Sequence, residues 1–379
     1  MRVLFSSTAG AGHVGPLLPF ARSWLRAGHD VLFCGPPALG EAGLPDGARF
    51  WPVDDPAEDV MAGALGRLRG MSHHEANEFM CRDIFGRLRP AAALPRLAEA
   101  VGTWRPDVVV RESAELAAPV AAELYDVPHA RIGIGLGAME EYLLRLVAAP
   151  VGALRRAHGL PEDPDAARLR GSAYLTLFPA GLEDPALPAP PHAQRFRDPP
   201  WATPPDGPGG ELVYVTFGSV TGAMPELSSV YVEAMRAVAD IGTDVLLTVG
   251  HGADLSALGT PPPNVRIERW VDQAEVLPRA AAVVCHGGGG TTLGALAAGV
   301  PLVVVPLFAE DQHLNAHRVA AAGAGVETTT AQAGAIRSAL EEVLGSASHR
   351  KAARALAAEL AGLPSTDDAP VGGLSPATR

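Results

Sequence analysis

The chain has 379 residues, of which 47% are hydrophobic, and a formal net charge of −12. This length predicts two domains, because single hydrophobic cores rarely serve more than about 250–300 residues. The acidic balance argues against nucleic-acid or anionic-membrane partners, since both require clustered Lys and Arg. Three widely spaced cysteines predict neither a disulfide framework nor a zinc site. Because neither a signal peptide nor an apolar stretch of transmembrane length is visible, we expect a cytoplasmic protein.

The first half of the chain alternates short apolar runs with longer amphipathic segments, which is typical of parallel α/β domains. The apolar runs lack polar alternation, as expected for strands covered by helices on both faces. Strands are predicted at residues 3–6, 30–34, 49–53, 107–110 and 130–133. Helices are predicted around residues 17–27, 76–101 and 114–124.

A Pro- and Gly-dense stretch over about residues 185–210 predicts a linker, because it can sustain neither a helix nor a central strand. The strand–helix rhythm restarts after it with LVYVTF, DVLLTV, VRIERWV, AAVVC and PLVVVP. We therefore predict two Rossmann-like, doubly wound parallel-sheet α/β domains, over residues 1–200 and 211–379, the second including a C-terminal helix and tail. Two such domains are expected to face each other across a cleft that binds ligands.

Residues 10–15, GAGHVG, spell G-x-G-x-x-G after the first predicted strand. An NAD-dependent oxidoreductase would also need an acid at the end of the second strand, but Asp30 stands at its start. The second interpretation is a turn that presents His13, which precedes Pro16 and so falls at the first turn of a helix. A histidine satisfied by loop backbone is the ordinary alternative.

Glu112 offers His13 a partner, because it follows the predicted strand at 107–110 and so lies at the same sheet edge. A carboxylate there would fix the imidazole tautomer and make a general-base pair. Two alternatives remain open. Glu112 could be a solvated acid paired with Arg111, and Glu115 is a competing carboxylate.

Residues 286–290, HGGGG, form a second glycine-rich turn between a strand and a helix. Such a turn exposes backbone N–H groups at a helix N-terminus, which suits phosphate oxygens. His286 and the Thr291 hydroxyl would add donors. The Lys and the spacing of a Walker A loop are missing, so nucleotide hydrolysis there is not expected.

Polar and aromatic residues flank this turn. Trp270 follows a strand and would stack on a nucleotide base, although a core position is the ordinary alternative. Gln273 would bind ribose. Asp311 and Gln312 stand at a helix start, where acceptors and amides suit sugar hydroxyls but also serve as N-caps.

The ordered motifs GHVGP, PDVVVRES, VYVTFGS, WVDQAEVLP, HGGGGTTLGALAAGVP and EDQHLNAHRV span nearly the whole chain. With them the chain resembles the inverting GT-B glycosyltransferases of family 1 that transfer activated deoxysugars to actinobacterial natural products. The resemblance implies transfer from a dTDP- or UDP-linked sugar to a hydroxyl of a small-molecule aglycone in antibiotic biosynthesis. It also implies that no metal or other cofactor is required.

The resemblance assigns roles to individual residues. It makes His13 the base that deprotonates the acceptor, Glu112 its supporting carboxylate, and Asp311 with Gln312 the contacts to the donor sugar. The donor-binding residues that it implies are Gly218, Ser219, Trp270, Val271, Gln273, His286, Gly287, Gly288, Gly290, Thr291, Asp311 and Gln312. Two positions depart from the family pattern: Glu112 replaces an Asp, and Asp272 replaces a Pro and is expected to point outward.

The acceptor cannot be identified from the sequence. Phe79, Met80 and Phe85 would form an apolar wall for a flat aglycone, although the core of an amphipathic helix is the more usual role for each. A catalytically silent sugar-nucleotide-binding partner and a sugar-nucleotide epimerase are the remaining rival functions. The sequence leaves a homodimer open.

Overall fold

The computed structural model describes residues 1–41, 43–187, 189–190, 192–202 and 210–374. Within these residues the chain forms two compact units. The first comprises Met1–Leu177, Asp184–Pro199 and the chain from Pro364 onward, and the second comprises Phe178–Glu183 and Pro200–Leu363.

The strands of the first unit are β1 (Arg2–Ser6), β2 (Asp30–Gly35), β3 (Arg49–Pro52), β4 (Val108–Glu112), β5 (His129–Ile132), β6 (Ala173–Thr176) and β7 (Gln194–Arg195). Within the described ranges they form one seven-stranded parallel sheet in the order β3-β2-β1-β4-β5-β6-β7. Phe5 on the central β1 pairs with Phe33 of β2 and Val110 of β4, and all three are buried. Apolar runs in these strands are therefore covered on both faces, as predicted.

The first unit surrounds its sheet with helices that follow most strands. These helices are α1 (Ala11–Val14), α2 (Leu18–Arg26), α3 (Pro37–Gly40), α4 (Glu58–Gly66), α5 (His73–Phe79), α6 (Arg89–Trp104), α7 (Ala118–Leu124), α8 (Gly137–Ala157) and α9 (Ala167–Gly171).

The helix predicted at 76–101 is divided into α5, a π-helical segment at Met80–Leu88, and α6. The start of α5 is fixed by a capping box, in which Ser72 and Glu75 satisfy each other's backbone N–H groups. Gly86 lies where the π-helical segment crosses α8, and a Cβ there would lie 3.0 Å from Cγ of Pro150. The close approach of the segment to α8 therefore favours a glycine at this position.

The second unit repeats this arrangement. Its strands are β8 (Leu212–Thr216), β9 (Asp244–Thr248), β10 (Val265–Glu268), β11 (Ala280–Cys285), β12 (Leu302–Val304) and β13 (Gly325–Glu327). In the part of the chain that the structure describes, they form a six-stranded parallel sheet in the order β10-β9-β8-β11-β12-β13. Its helices are α10 (Ser229–Val238), α11 (Gln273–Val276), α12 (Gly289–Ala297), α13 (Glu310–Ala321), α14 (Ala333–Gly345) and α15 (Ala347–Gly362).

Short 3-10 turns connect several of these elements. They lie at Gly15–Leu17, Pro164–Ala166, Ala180–Leu182, Pro199–Ala202, Thr221–Ala223, Pro225–Leu227, Leu255–Leu258, Leu277–Arg279, Thr366–Asp368 and Val371–Gly373. The prediction of two doubly wound parallel α/β domains is confirmed. Among the described residues, no helix is both long and apolar enough to cross a bilayer.

The predicted linker at 185–210 is more structured than expected, although residues 188, 191 and 203–209 lie outside the described ranges. Gln194 and Arg195 form β7 and pair with β6 at the edge of the first sheet. An edge position explains why a strand persists among prolines, since only one side of its backbone must pair.

The C-terminal tail packs on the first unit, not on the second domain as predicted. Trp24 of α2 donates from Nε1 to the carbonyl of Ala369 at 3.0 Å, and Ser23 Oγ lies 2.8 Å from Thr366 Oγ1. Both α2 side chains are buried. The large Trp24 side chain, whose buried indole N–H needs an acceptor, therefore anchors the tail to α2.

The topology brings strand ends together. Because β1 and β4 are neighbours, the residues after β1 and the end of β4 share one sheet edge. The same holds for β8 and β11 in the second unit. These two edges carry the glycine-rich turns singled out by the sequence.

Candidate active-site residues

His13 lies in α1, directly after the loop that follows β1. Gly10 caps this helix with φ of 122°, a conformation that favours glycine. A Cβ added at Gly12 or Gly15 would meet nothing within 4 Å. Of the three glycines, only Gly10 is therefore demanded by backbone geometry, and it helps to present the His13 side chain, which is 23% exposed.

His13 and Glu112 are in contact: Nδ1 lies 3.1 Å from Oε1 of the fully buried carboxyl group. Burial by itself would raise the pKa of Glu112, but the charge of His13 and the hydrogen bonds to the carboxylate outweigh it and hold that pKa below its usual value. The carboxylate accepts hydrogen bonds only, so Nδ1 is the donor. In this tautomer Nε2 carries the lone pair.

Sequence reasoning missed three further donor groups, from two residues, that bind the same carboxylate. Thr8 donates to Oε1 from its hydroxyl at 3.0 Å and from its backbone N–H at 3.4 Å. The backbone N–H of Ala114 donates to Oε2 at 2.5 Å. Thr8 lies two residues after the end of β1, in the segment SSTAG at residues 6–10. Nothing in that segment distinguishes Thr8 from its neighbours as a ligand of the carboxylate.

The observed contacts exclude both alternatives to the His13–Glu112 pair, namely Glu115 as the partner and a pairing of Glu112 with Arg111. The Glu115 carboxylate accepts the N–H groups of Ala117 and Ala118 and so caps α7. Burial raises the pKa of Glu115 to about 7. Arg111 is also fully buried, and its Nη1 donates to backbone carbonyls instead of to the Glu112 carboxylate.

The residues predicted to bind the acceptor separate into two groups. The ring of Phe85 lies 5.4 Å from that of His13, at an interplanar angle of 34°. Phe79 is only 2% exposed and packs with Ala64 and Ile84 in a small cluster, so it takes the core role and not that of a wall residue. Met80 is half-buried against that cluster. Phe79 faces inward because α5 and the π-helical segment must bury an apolar side of their own.

In the second unit, His286 follows β11 and lies between two glycines. A Cβ at Gly218 would be 2.8 Å from its Cε1, and a Cβ at Gly288 would be 2.5 Å from its Nε2. Gly218 and Gly287 have φ of 83° and 88°. These glycines therefore make room for the imidazole and for the turn itself.

Burial lowers the pKa of His286 to about 4, so the ring is neutral at pH 7. A neutral imidazole can donate one hydrogen bond without carrying a charge. Within the described residues its Nδ1 is buried and has no hydrogen-bond partner. His286 and His13 therefore have different electrostatic settings, because only His13 contacts a carboxylate.

The helix α12 begins at this turn, with Gly288 as its N-cap. Thr292 N donates to the Gly288 carbonyl at 3.0 Å, which closes the first helical hydrogen bond. The N–H groups of Gly289, Gly290 and Thr291 belong to the first turn, where the helix supplies no acceptor. They are available to an anion at the positive end of the helix dipole.

Side chains from neighbouring elements border the turn. Gln273 Nε2 donates to Thr291 Oγ1 at 3.2 Å and to the Tyr214 hydroxyl at 3.4 Å. Asp272 accepts the N–H of Ala274 at 2.9 Å and caps α11. That exposed cap explains how an acid is accommodated where the family pattern has proline.

Trp270 follows β10 and is 63% exposed, so a core role is excluded. Ser219 is exposed and Val271 is half-buried. An exposed aromatic side chain on a sheet-edge loop is well suited to stack on a planar ligand.

The predicted sugar contacts Asp311 and Gln312 both lie in the first turn of α13. Gln312 is 3% exposed, and its Oε1 accepts the N–H groups of Leu307 and Phe308 at 2.9 and 3.1 Å. Its amide oxygen therefore organises the preceding loop, which the sequence did not predict. Asn315 of the same helix donates to the Gly287 carbonyl at 2.7 Å and ties α13 to the glycine-rich turn.

No group of three or more His, Cys, Asp or Glu side chains is arranged to hold a metal ion in the part of the chain that the structure describes. The sequence DPD at residues 163–165 resembles a metal-binding D-x-D motif. Its Asp163 carboxylate instead accepts the N–H of Arg168, in the adjacent α9, at 3.2 Å.

The sequences of both units match domain models of one known protein family. Residues 24–167 match the model described as erythromycin biosynthesis protein CIII-like, N-terminal domain, and residues 232–370 match the corresponding C-terminal domain. The chain is 32% identical to elloramycin glycosyltransferase ElmGT of Streptomyces olivaceus, covering 97% of this chain and 95% of that protein. It is 31% identical to L-demethylnoviosyl transferase of Streptomyces niveus, over 96% and 95% of the two chains.

Solved structures agree. The glycosyltransferase SnogD of Streptomyces nogalater is 27% identical with a TM-score of 0.74, covering 97% of each chain. VinC, solved in complex with dTDP, is 25% identical with a TM-score of 0.75, over 99% and 98% of the chains. The chain therefore belongs to the erythromycin biosynthesis protein CIII-like family of natural-product glycosyltransferases, and it is a glycosyltransferase of antibiotic biosynthesis with the GT-B fold.

Proposed function

We propose that this enzyme transfers a sugar from a dTDP-linked donor to a hydroxyl of a small, largely apolar aglycone, with inversion at the anomeric carbon. The observation that carries the proposal is the contact between His13 Nδ1 and the buried Glu112 carboxylate at 3.1 Å. A base with its lone pair on Nε2 is suited to remove the acceptor proton as the oxygen attacks.

In the proposed reaction the acceptor oxygen bonds to the anomeric carbon while the bond from that carbon to the diphosphate oxygen breaks. The proton of the acceptor moves to Nε2 of His13, and Glu112 stabilises the resulting imidazolium. Attack opposite the leaving group inverts the configuration. Phe85 would border the acceptor because its ring lies beside that of His13.

We assign the donor to the second unit. The first-turn N–H groups of α12 would meet the negative charge that grows on the departing diphosphate, with neutral His286 as a further donor. Trp270 would stack on the base, and Gln273 would bind the ribose. Asp311 and the Nε2 amide of Gln312 would contact the sugar. The dTDP in the VinC complex supports the choice of nucleotide.

Four further elements belong to the proposal. The reaction needs no metal, because amides and His286 supply the stabilisation at the diphosphate, so rates in EDTA should equal those in Mg²⁺. The first unit binds the acceptor. The protein is cytoplasmic, in keeping with three free cysteines. The protein forms a homodimer, and light scattering of the protein as it elutes from a size-exclusion column would give twice the mass of one chain.

Calorimetric titration with dTDP, UDP and NAD tests the donor assignment. We expect dTDP to bind in the micromolar range, and Trp270→Ala to weaken it about tenfold, or about 1.4 kcal/mol. Trp270→Phe keeps an aromatic face and should lose less. Tight binding of NAD with no binding of dTDP or UDP would contradict the donor proposal.

The stereochemical proposal is tested by NMR of the product. A dTDP-sugar with an α-anomeric linkage should give a β-linked product, read from the coupling constant of the anomeric proton. Retention of configuration would refute the roles given to His13 and Glu112.

A further inference from the structure

The Glu112 carboxylate is held by more than its histidine. Its Oε1 accepts from His13 Nδ1 at 3.1 Å and from Thr8 Oγ1 and N at 3.0 and 3.4 Å. Its Oε2 accepts from Ala114 N at 2.5 Å. Each carboxylate oxygen offers about two lone-pair sites, so Oε1 is fully engaged and Oε2 accepts one further bond. The orientation of Glu112 is therefore set by residues outside the His–Glu pair.

Thr8 acts on the oxygen that His13 uses. It is 6% exposed and lies two residues after β1, an interior strand of the sheet. Its hydroxyl and N–H together oppose rotation of the Glu112 carboxyl group and favour the charged form. A glutamate side chain has one more rotatable bond than an aspartate side chain. It therefore needs this additional restraint to keep its carboxylate in one orientation.

Arg111 acts on the other oxygen, through the backbone. Its fully buried Nη1 donates to the carbonyls of Glu112, Ser113 and Glu115 at 3.0, 2.7 and 3.2 Å. These carbonyls flank Ala114, whose N–H donates to Glu112 Oε2. Arg111 therefore holds the loop that holds the carboxylate. All three bonds come from Nη1, while Nε and Nη2 have no hydrogen-bond partner among the described residues. A lysine side chain is one bond shorter, so its ammonium would not reach the position of Nη1.

We propose that Thr8 and Arg111 are positioning residues for the His13–Glu112 pair, Thr8 by fixing Oε1 and Arg111 by fixing the loop that donates to Oε2. The inference rests on the proposed function in taking His13 as the base. Neither residue touches substrate in this assignment. Both act by keeping the proton of His13 on Nδ1, so that Nε2 stays ready to accept one.

The first test is NMR of ¹⁵N-histidine-labelled protein without donor or acceptor, comparing Thr8→Val with Thr8→Ser. The His13 signal is assigned by its loss in His13→Gln. In neutral His13 of Thr8→Val we expect less Nδ1–H and more Nε2–H than in the wild type, while Thr8→Ser stays near the wild type. In transfer assays kcat should fall about fivefold or more in Thr8→Val, with the KM for the dTDP-sugar unchanged.

The second test compares two buried arginines. Arg155 is 2% exposed and binds Glu123 and the Pro161 carbonyl, and it makes no contact with the Glu112 loop among the hydrogen bonds and ion pairs of the described residues. Arg111→Lys should shift the His13 tautomer as Thr8→Val does. Arg155→Lys should leave the His13 signal unchanged even if it lowers the melting temperature equally.

The outcomes separate the two proposals. An unchanged His13 tautomer in Thr8→Val, or equal changes in Arg111→Lys and Arg155→Lys, overturns the positioning roles whatever the reaction is. If Arg111→Lys does not fold, the Thr8 pair decides. A shifted tautomer in a protein that transfers no sugar supports the positioning roles and refutes the proposed function instead.

Discussion

The two glycine-rich turns follow different strands of a shared sheet order, β1 in the first unit and β11, which corresponds to β4, in the second, and they place their histidines in opposite surroundings. Each turn follows a buried parallel strand and leads into a helix. His13 is partly exposed and contacts a buried carboxylate. His286 lies between Gly218 and Gly288, and burial lowers its pKa to about 4.

The difference teaches that the partner and the burial of a histidine decide its chemistry, and that the glycine pattern does not. A carboxylate neighbour stabilises the protonated ring and suits a base. A buried site that excludes water keeps the imidazole neutral. A neutral imidazole can donate a hydrogen bond to an anion that also accepts hydrogen bonds from the N–H groups of a helix.

Removing His13, the proposed base, should give the largest effect. His13→Ala should lower kcat for sugar transfer by about 10²–10⁴-fold, the usual contribution of a general base. Calorimetry should find the same Kd for dTDP, because the nucleotide is assigned to the second unit. His158→Ala, an exposed histidine after α8, is the control and should keep full activity. Transfer at the wild-type rate in His13→Ala would show that His13 is not the base and that the two histidines do not differ in role.

Displacing the second histidine should give an intermediate effect. In Gly288→Ala the new Cβ would lie 2.5 Å from His286 Nε2, so the ring must move. We expect the Kd of dTDP to rise about tenfold or more. Gly334→Ala in α14, where a Cβ meets nothing within 4 Å, should leave the Kd unchanged. Equal affinities in the two variants would mean that the position of His286 is immaterial to the donor.

The smallest effect is on stability against pH. Because the pKa of His286 is lowered to about 4 in the folded state, the unfolded chain takes up the proton first as pH falls below about 6.5. This cost is absent at high pH and grows as pH falls towards 4. Between pH 7.5 and 5, the wild type should lose about 1–2 kcal/mol more unfolding free energy than His286→Asn.

Urea unfolding of ligand-free protein at the two pH values measures this difference. Parallel losses in His286→Asn and the wild type would show that the buried ring titrates normally, and the contrast with His13 would disappear.

The apolar strand runs and the glycine-rich turns could be predicted because their signals are local. The pairing of His13 with Glu112 could also be predicted, but the local sequence left Glu115 open as its competitor. Both acids stand at or just after the end of one strand, and only the folded contacts show that Glu115 binds the N–H groups at the start of α7. The two-residue β7 and the three-residue β13 are too short for periodicity to reveal, and the predictions omitted them.

Orientation and distant contacts explain the other differences. An amphipathic pattern does not say whether Phe79 faces a ligand or a small core, and the π-helical segment beside it changes the register of the face. Gln312 reads as a ligand contact, but its amide oxygen is used by the loop before it. The tail partner of Trp24 is 345 residues away, which no sequence window covers.

The packing of the C-terminal tail on α2 makes the two units interlaced in the chain. The first unit takes its material from three separate stretches, and the last begins at Pro364, after α15 of the second unit has ended. No single cut yields two complete pieces. Cleavage after Leu363 would remove from α2 the acceptor of the Trp24 indole and the partner of Ser23. Exchange of whole halves with a relative should therefore succeed only when the tail travels with the N-terminal half.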